Sequence, residues 1–441
     1  MRRAPGLRPG RPRQPGQGGA RAFVPRVARG ARGAGAGRVS ARIAAQVAAL
    51  LGAGAVEREP HGVPRAVPDS TEALARLCAL ASAEGWTLRT SGRASWLPAD
   101  APADLAVSTR GLDRILAVSP DDLVATVEAG VTMDALRRRL AEERMWLALD
   151  PPGRGERTIG SVVATATAGA LRHGFGPVRD HVLGCTTISS DGRAITSGGR
   201  VVKNVAGYDL TRLQAGGFGA FGIIATLHLR LRAVPEHDVT WLLRGDRDTL
   251  TRAARDLGAT ADAAAAVELL SPAVAGEPEW VLALRFTGLR VAVEAETARL
   301  AAMAGGWHEL AAPRAAPLWT LAALAPLGAP VTLRLGVLAD GLDELLDLVV
   351  ARLGEGLLTA GAASGAVRWA GEATAEQVRE LRGACAAREV PLTLERAPWP
   401  LRQQLGHFGA YREGIQHLTK GIRRVFDPQG LLQVAMEAPR G

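Results

Sequence analysis

Apolar and polar positions follow a regular order from residue 65 onward, and this order predicts short helices and strands. Leucines at helical spacing follow Ser70, a residue type that caps helices, and Gly85 is placed to end that helix. A strand over residues 86–90 follows and runs into a turn of small residues at 91–95. Further strands are predicted around 106–108, 115–118 and 123–128, and then a helix capped by Thr132.

The pattern changes after Pro235, where glycine becomes less frequent and apolar strands alternate with amphipathic helices. Strands are predicted at 280–287, 331–337, 367–370 and 392–395, and helices at 291–303, 342–349 and 375–387. This alternation predicts a second domain of the α+β class made of two similar halves, with a domain boundary near residue 236.

The beginning of the chain has a composition of its own. Residues 1–42 contain eleven arginines and no acidic residue, so they carry more than the whole net charge of +9 and leave a slightly acidic remainder. Glycine, proline and arginine dominate residues 1–39, which we predict to be a disordered basic tail. Such a tail either binds an anionic partner by counterion release or contributes nothing to the folded protein. Apolar residues at helical spacing after Ser40 predict a first helix that Gly52 ends.

Composition excludes several classes of protein. The length of 441 residues allows two or three domains. Three widely separated cysteines exclude a disulfide scaffold, a structural zinc site and an iron–sulfur cluster held by this chain alone, and we predict no metal site. No apolar stretch has the ~20 residues that a membrane span needs, so we predict a cytoplasmic protein, with peripheral association with the inner face of the membrane as the alternative.

Glycine is concentrated between residues 158 and 222, which contain 13 of the 52 glycines. One run, GFGAFG at 217–222, matches the G-x-G-x-x-G pattern of dinucleotide-binding folds. That pattern binds phosphate when it follows a strand and opens a helix, whereas here a probable helix at 210–213 precedes it and an alternating strand at 223–231 follows. A Rossmann domain is therefore not predicted. Neither a P-loop nor a G-x-S-x-G nucleophile motif is present.

A longer series of segments carries more information than any one motif. In order, they are TSGRASW at 90–96, DPP at 150–152, TIGS at 158–161, GFGPVRDHVLG at 174–184, GRVVKNVAGYDL at 199–210 and GGFGAFGII at 216–224. Each segment alone is explained equally well by a tight turn at the end of a strand. Backbone N–H groups in the first segment could also cradle a pyrophosphate. The complete series, in this order and spacing, is a strong signal.

With these motifs the chain resembles FAD-linked oxidases of the vanillyl-alcohol-oxidase type, and is most similar to the FAD-binding subunit of bacterial glycolate oxidase. The resemblance covers roughly residues 50–236 and returns in RRVFDPQG at 423–430. It implies an α+β protein with a PCMH-type (p-cresol methylhydroxylase-type) FAD-binding domain at 40–236. An α+β cap domain at 237–441 would bind substrate, and its last segment would return to the FAD-binding domain.

The resemblance also implies which residues bind FAD. Backbone amides of the turn at 91–95 would hold the pyrophosphate, and three further loops would line the flavin or the adenine. The cofactor-binding residues implied are Ser91, Gly92, Arg93, Ala94, Ser95, Pro152, Thr158, Ile159, Gly160, Ser161, Gly169, Gly176, Arg179, Asp180 and Ile224. Lys203, Asn204, Tyr208 and Asp209 would be either structural or close to the flavin, and His173 lies in a loop where covalent attachment is an alternative to non-covalent FAD.

The implied activity is the oxidation of a small 2-hydroxy acid such as glycolate, with electrons passing to a separate acceptor or iron–sulfur subunit. No residue stands out as the catalytic base. Arg396 and His407 are candidate substrate contacts, with a surface position as the alternative. Two other hypotheses remain: a non-catalytic FAD-binding partner of a larger flavoprotein complex, and an anion- or nucleic-acid-binding protein that acts through its tail.

Overall fold

The computed structural model of this protein describes residues 34–60, 62–200, 208–258, 264–303, 306–409 and 413–433. The predicted tail at 1–39 lies mostly outside these residues. Where it overlaps them, the prediction is wrong, because the first helix begins at Ala34 rather than after Ser40. Small residues at 34–37 do not interrupt this helix, and Gly52 ends it as predicted, with a φ of 93°.

The first sheet lies in the N-terminal part of the chain and also includes a strand from the other end. Its order is β1-β2-β4-β3-β20, with β1 Val56–Arg58, β2 Pro64–Ala66, β3 Leu88–Ser91, β4 Leu105–Ser108 and β20 Leu432–Gln433. All pairs except β1–β2 are parallel. Helices α1 (Ala34–Leu51) and α2 (Thr71–Glu84) cover this sheet through apolar residues that include Val47, Leu74 and Leu77. The C-terminal end of the described chain is thereby joined to its beginning.

The second sheet is antiparallel, in the order β5-β6-β10-β8-β9. Its strands are β5 Ile115–Ser119, β6 Val124–Glu128, β8 Val182–Ile188, β9 Ala194–Gly198 and β10 Ile223–Arg230, and a ribbon of β7 (Met145–Trp146) and β11 (Arg232–Ala233) lies beside it. The helices of this region are α3 Met133–Glu142, α4 Ile159–Thr165, α5 Arg172–Phe175 and α6 Leu210–Gln214. We call the part of the molecule formed by these two sheets the N-terminal lobe.

The remaining strands form one eight-stranded antiparallel sheet, which we call the cap sheet. Its order is β15-β12-β14-β13-β17-β18-β16-β19, with β12 His237–Gly245, β13 Ala264–Leu270, β14 Trp280–Gly288, β15 His308–Leu310, β16 Val331–Gly336, β17 Leu357–Gly361, β18 Ala366–Gly371 and β19 Leu392–Arg396. The helices are α7 Arg247–Gly258, α8 Pro272–Ala275, α9 Arg290–Ala302, α10 Ala312–Leu324, α11 Leu342–Leu353, α12 Ala375–Ala386, α13 Trp399–Leu405 and α14 Glu413–Phe426.

The two faces of the cap sheet are covered differently. Helices α7, α9, α11 and α12 cover one face and enclose the largest apolar core, with Leu284, Leu333, Leu346 and Trp369 among its members. The opposite face is covered by α8 and α10 at one end. Elsewhere it faces the N-terminal lobe, because side chains of β16 and β18 bond to carbonyl oxygens of residues 165–168.

Local sequence signals predict many elements correctly. Ser70 caps α2 by accepting a hydrogen bond from the Ala73 N–H, and Gly85 ends that helix in a left-handed conformation, as the sequence predicts. Thr132 caps α3 in the same way. The GFGAFG run lies between α6 and β10, so the prediction that its order is reversed relative to a Rossmann motif is confirmed. Within the described ranges, no helix has the length and apolar character needed to cross a bilayer.

Candidate functional site

A large open cleft lies at the turn that follows β3. The cleft has a volume of about 1120 Å³, including space that is open to solvent, and its lining includes this turn and the start of β10. Residues from distant parts of the chain close it. The lining includes Thr90, Ser91, Gly92, Arg93, Ala94, Ser95, Trp96, Thr109, Gly160, Ser161, Thr165, Phe218, Gly219, Gly222, Ile224, Trp399, Arg402, His407 and Gln433. We call this space the outer cleft.

The turn at 91–95 has the properties of an anion cradle. The Ser108 hydroxyl donates to the Gly92 carbonyl oxygen at 2.7 Å, and the Thr109 hydroxyl donates to the Ser91 carbonyl oxygen at 3.4 Å. The next three N–H groups, of residues 93–95, have no acceptor within the described part of the chain. Ala94 adopts a left-handed φ of 54°. Successive free N–H groups in such a turn form a concave site for a phosphate or another anion.

Arg93 adds a positive charge to this cradle. Its side chain is exposed, lines the outer cleft and has no ion-pair partner among the described residues. A guanidinium at this position can pair with a bound phosphate group without first breaking a contact within the protein.

We expect Arg93→Ala to weaken the binding of FAD to the apoprotein about fivefold, which corresponds to the ~1 kcal/mol of an exposed ion pair. The loss should shrink at about 1 M salt, because exposed charges are screened. Quenching of flavin fluorescence at low and high salt measures both affinities. Arg154→Ala is the matched control, since Arg154 is exposed but lines neither cavity. Equal losses for the two variants would contradict a role for Arg93.

Two buried side chains at the outer cleft retain unused hydrogen-bond donors. The Trp96 ring is 2% exposed, and its Nε1 has no partner within the described residues. The Arg157 guanidinium carbon lies 4.5 Å from the centre of that ring, and its Nε also has no partner there. The other two guanidinium nitrogens of Arg157 donate to the Pro152 carbonyl oxygen at 2.6 Å and to the Thr165 hydroxyl at 2.8 Å. Buried donors without partners are uncommon and indicate a place for an acceptor atom.

A second, smaller cavity lies between the N-terminal lobe and the cap sheet, next to Pro152. Its volume is about 350 Å³, including space that is open to solvent, and we call it the inner cavity. Asp150, Pro152, Gly169 and Ala170 of the N-terminal lobe form one wall, and Glu268, Thr359, Arg368 and residues of α10, among them Trp319, form the other. Arg157 bonds both to Pro152, which lines the inner cavity, and to Thr165, which lines the outer cleft. The two spaces are therefore neighbours.

Polar side chains form a row on the face of the cap sheet that meets the inner cavity. Thr359, Arg368 and Arg334 lie directly opposite one another on β17, β18 and β16, so they share one face. Glu268 on β13 and Arg285 on β14 extend the same row, each on an otherwise largely apolar strand. We call these five residues, together with Glu395 on β19, the polar row.

The polar row holds the cap sheet against the N-terminal lobe. Arg368 donates to the Ala168 carbonyl oxygen at 3.0 Å, and Arg334 donates to the Ala166 carbonyl oxygen at 3.1 Å. Both arginines also pair with Glu395, at 3.0 Å and 3.1 Å. Burial alone would raise the pKa of the Glu395 carboxyl, but the Arg368 and Arg334 guanidinium groups outweigh burial and lower this pKa below its usual range.

The two carboxyl groups at the inner cavity behave differently from Glu395. Burial raises the pKa of Asp150 to about 6, although the Leu171 N–H, 3.1 Å from Oδ2, and the charge of Arg285 act against this increase. Burial also raises the pKa of Glu268 to about 8, with a further increase from the negative charge of Asp150. Acids whose pKa values are raised towards neutrality are common where proton transfer takes place.

The predicted cofactor-binding residues lie in three places. Ser91, Gly92, Arg93, Ala94, Ser95, Gly160, Ser161 and Ile224 line the outer cleft, and Pro152 and Gly169 line the inner cavity. Thr158 and Ile159 are buried behind the turn at 91–95 and at the start of α4. Gly176, Arg179 and Asp180 line neither space, and the last two form an ion pair with a distance of 3.8 Å.

The other residues considered in the sequence are also dispersed. Lys203 and Asn204 lie outside the described residues, and Tyr208 is 94% exposed. His407 is buried and lines the outer cleft, where its Nδ1 lies 2.8 Å from the Leu394 carbonyl oxygen. The Arg396 Nε donates to the Trp96 carbonyl oxygen at 3.0 Å, so this arginine binds the turn that carries the anion cradle.

Sequence reasoning did not identify Arg157, Glu268 and Arg368 as functional residues. A signal was available for the last two, because each is a charged residue within an apolar strand, in AAAVELL and AVRWAG. A charge at such a position is costly unless it is paired or lines a cavity.

Comparison with known proteins relates part of this chain to FAD-binding proteins. Residues 65–198 match a family of FAD binding domains. Over 122 residues, 27% of this chain and 35% of the relative, the chain is 37% identical to glycolate oxidase subunit GlcE of Escherichia coli. Over 129 residues, 29% of this chain and 22% of the relative, it is 35% identical to a mitochondrial D-lactate dehydrogenase [cytochrome] of Arabidopsis thaliana. The matched segments thus span about a third or less of these relatives.

Solved structures are similar over most of the chain. The fold matches p-cresol methylhydroxylase with substrate bound at a TM-score of 0.72 and 12% identity, over 90% of this chain and 96% of that one. It also matches a 4-ethylphenol oxidase of Gulosibacter chungangensis at a TM-score of 0.69 and 14% identity, over 90% of this chain and 96% of that one. At these identities the similarity concerns the fold. Together with the family match over residues 65–198, these folds confirm the predicted α+β fold with a PCMH-type FAD-binding domain.

Proposed function

Residues 65–198 of this chain form a FAD binding domain, so FAD is its cofactor, and from this premise we propose a FAD-dependent oxidation of small 2-hydroxy acids. The substrate would bind in the inner cavity, between the N-terminal lobe and the cap sheet. The observation that carries this proposal is the inner cavity itself, where a guanidinium and two carboxyl groups with raised pKa values meet beside the FAD-binding segments.

The residues at the outer cleft fit a dinucleotide. Free N–H groups at 93–95 and the Arg93 side chain match the charge of a pyrophosphate, and Trp96 and Arg157 offer buried donors to acceptor atoms of a ring. Gly92 allows the turn to approach Thr158, as a side chain at this position would not. FAD, when bound, supplies the acceptor for a hydride.

Arg368 is positioned to bind the carboxylate of the substrate. Its Nε and Nη1 atoms are already bonded, to Glu395 and to the Ala168 carbonyl oxygen, which fixes the orientation of the guanidinium plane. Its Nη2 donates to no acceptor within the described residues, and the side chain lines the inner cavity. A fixed guanidinium with a free N–H recognises a carboxylate by a charge-assisted hydrogen bond.

We expect the purified protein to have the absorption spectrum of bound flavin and to lose it anaerobically when glycolate or D-lactate is added. The loss of absorbance reports transfer of electrons from the 2-hydroxy acid. Acid precipitation of the same sample shows whether the flavin stays with the protein, and so separates covalent from non-covalent FAD. A flavin-loaded protein that no small 2-hydroxy acid bleaches would contradict the proposed activity.

The proposal includes a separate electron acceptor. The three cysteines, Cys78, Cys185 and Cys385, are buried and free, and the described residues contain no group of side chains that could hold a metal ion. Electrons would therefore pass from FAD to another protein or to a soluble acceptor. This proposal includes the separate acceptor, the predicted flavoprotein and iron–sulfur partner subunits, and the predicted cytoplasmic location.

A second candidate function is that of a non-catalytic FAD-binding partner subunit. The side chains of Trp96 and Arg157 favour it, because the Trp96 ring lines the outer cleft, and Arg157, which contacts this ring, bonds to Pro152 of the inner cavity. A flavin confined to the outer cleft would not reach a substrate in the inner cavity. The anaerobic experiment separates the two functions, since this alternative expects bound flavin and no bleaching.

A further inference from the structure

Glu268 is a buried carboxyl group without a partner. It lies on β13, is 8% exposed and lines the inner cavity. No hydrogen bond or ion pair joins its carboxyl oxygens to another group in the described part of the chain. A buried carboxyl normally has partners for its lone pairs, so a carboxyl without any indicates that a group outside the protein completes it.

Two other carboxyl groups, those of Asp150 at the inner cavity and Glu395 on the polar row, have hydrogen-bond or ion-pair partners within the protein. Both oxygens of Asp150 accept the Leu171 N–H, at 3.2 Å and 3.1 Å. Both oxygens of Glu395 pair with arginines. Of these three carboxyl groups, Glu268 is the one whose oxygens are available to a molecule in the inner cavity.

The charged groups that face Glu268 belong to segments packed around β13 and the inner cavity. Asp150 lies in the opposite wall and Arg368 on the same sheet face, and their charges act on Glu268 in opposite directions. Arg285 on the neighbouring β14 pairs with Asp238 at 2.6 Å. Helix α5, which carries Arg172 and His173, packs on β13 where Gly174 meets Ala265. Burial and Asp150 outweigh Arg368, so the pKa of Glu268 is raised to about 8.

We propose that Glu268 is the catalytic base of this site and takes the hydroxyl proton of a 2-hydroxy acid whose carboxylate is held by Arg368. The inference rests on the proposed function and adds a catalytic residue to it. The substrate O–H bond breaks, and its proton forms an O–H bond with a carboxylate oxygen of Glu268. The hydrogen on the same carbon would leave as a hydride, for which bound FAD would supply the acceptor, and the electrons of the O–H bond would form the carbonyl of the 2-oxo acid.

The arrangement also defines the class of substrate. Glu268 and Arg368 share one sheet face, on strands that β17 separates, and both line the inner cavity, so a molecule in this cavity can offer a hydroxyl to one and a carboxylate to the other. A 2-hydroxy acid has both features, whereas a phenol or a simple alcohol lacks the carboxylate.

The test compares wild type with Glu268→Gln in anaerobic rapid mixing with the substrate, over a range of pH. We expect wild-type flavin reduction to become faster as pH rises towards about 8, because the base must be deprotonated. Glu268→Gln should reduce flavin about 10² to 10⁴ times more slowly, without this pH dependence. Glu268→Asp, which retains a carboxyl, should recover part of the rate. Glu309→Gln, an exposed site on β15 of the same sheet, is the matched control and should behave as wild type.

Binding of an inert analogue provides a readout that does not depend on turnover. 2-Hydroxy-2-methylpropanoate has no hydrogen on its hydroxyl-bearing carbon and so cannot be oxidised. Glu268→Gln should bind it within about threefold of wild type, because Arg368 supplies the charge interaction. A Glu268→Gln protein that binds the analogue but does not reduce flavin has lost its catalytic base and has kept its substrate-binding site.

Thermal unfolding of the same two proteins tests the buried carboxyl independently of FAD. A carboxyl whose pKa is raised in the folded state binds more protons folded than unfolded, so ionisation of Glu268 destabilises the protein as pH rises from about 4.3 to about 8. The Tm of Glu268→Gln minus that of wild type should therefore increase over this range.

Failure of the proposed function and failure of the proposed role of Glu268 give different results in these experiments. If wild type is not reduced by any 2-hydroxy acid, the proposed function fails. If wild type is reduced and Glu268→Gln is reduced at the same rate, the proposed function stands and the role of Glu268 is refuted. Loss of analogue binding in Glu268→Gln would make Glu268 a binding residue and would also refute its role as the base.

Discussion

Glu395→Gln is expected to lower the free energy of unfolding by about 3–5 kcal/mol, because it removes the negative charge that pairs with one buried and one partly buried arginine of the polar row. Glu395 is 1% exposed, and both Arg334 and Arg368 pair with it. Glutamine has nearly the same shape, so the substitution leaves no cavity. The cost comes from two guanidinium groups that lose their counter-charge while they remain bonded to carbonyl oxygens of the N-terminal lobe.

Urea unfolding monitored by tryptophan fluorescence measures this loss. Glu380→Gln is the matched control, because Glu380 pairs with Arg352 at 3.1 Å on the surface, where both side chains are about half exposed. Such a pair contributes about 0–1 kcal/mol. If the two substitutions cost the same, the polar row does not hold the cap sheet in place.

The same variant should also change the response to acid. A carboxyl whose pKa is lowered in the folded state binds fewer protons folded than unfolded, so its stabilising effect is present above the unfolded pKa of about 4.3. This effect is lost as pH falls through the lower folded pKa. Wild type should therefore lose stability in this acidic range, and the difference between wild type and Glu395→Gln should shrink there.

Elements that depend on neighbouring residues could be predicted from the sequence. A capping hydroxyl and a terminating glycine fix the ends of α2, and apolar spacing fixes its buried face, so the helix follows from residues 70–85 alone. The turn at 91–95 follows from small residues after a strand, and the structure places it at the outer cleft. The order of helix and strand around GFGAFG was predictable for the same reason.

The inner cavity could not be predicted in this way, because it depends on the order of strands in the cap sheet. Glu268 and Arg368 are separated by a hundred residues in sequence, and they share a face only because β17 pairs with both β13 and β18. Single charged residues within apolar strands give no indication of which strands are neighbours. The pairing of strands that are distant in sequence therefore brings together Glu268, the candidate base, and Arg368, the candidate carboxylate-binding residue.

The part of the outer cleft that is lined by residues 399–433 also depends on contacts between segments that are distant in sequence. Trp399, Arg402 and His407 follow the cap sheet, and Gln433 belongs to β20, which pairs with β3 at the other end of the chain. Arg402 pairs with Asp100 just after the turn at 91–95, and Arg396 bonds to Trp96. A cofactor in this cleft would contact both ends of the sequence, so its binding should stabilise the whole molecule rather than one lobe.

The second large effect is expected for Gly92→Ala, which should weaken FAD binding about 10- to 100-fold. A methyl group at this position would lie 2.2 Å from the Thr158 hydroxyl oxygen, far inside van der Waals contact. Overpacking of a well-packed site costs about 1–3 kcal/mol, and about 1.4 kcal/mol is a tenfold change in affinity. The turn at 91–95 must then move away from Thr158, and its free N–H groups move with it. Flavin fluorescence quenching with the apoprotein measures the affinity.

A double substitution identifies the cause of that loss. Thr158→Ala removes the hydroxyl oxygen and leaves the Cβ of residue 158 at 3.2 Å from the new methyl group, a contact that a small shift relieves. Thr158→Ala alone should cost about 1 kcal/mol of stability, because this hydroxyl caps α4 by accepting from the Ser161 N–H. Gly92→Ala combined with Thr158→Ala should then bind FAD nearly as well as Thr158→Ala alone. Such non-additivity is expected of two residues that are in contact in the FAD-binding state. Additive losses would mean that Gly92 is needed for a reason other than its approach to Thr158. They would contradict the proposal that the turn at 91–95 is the pyrophosphate cradle.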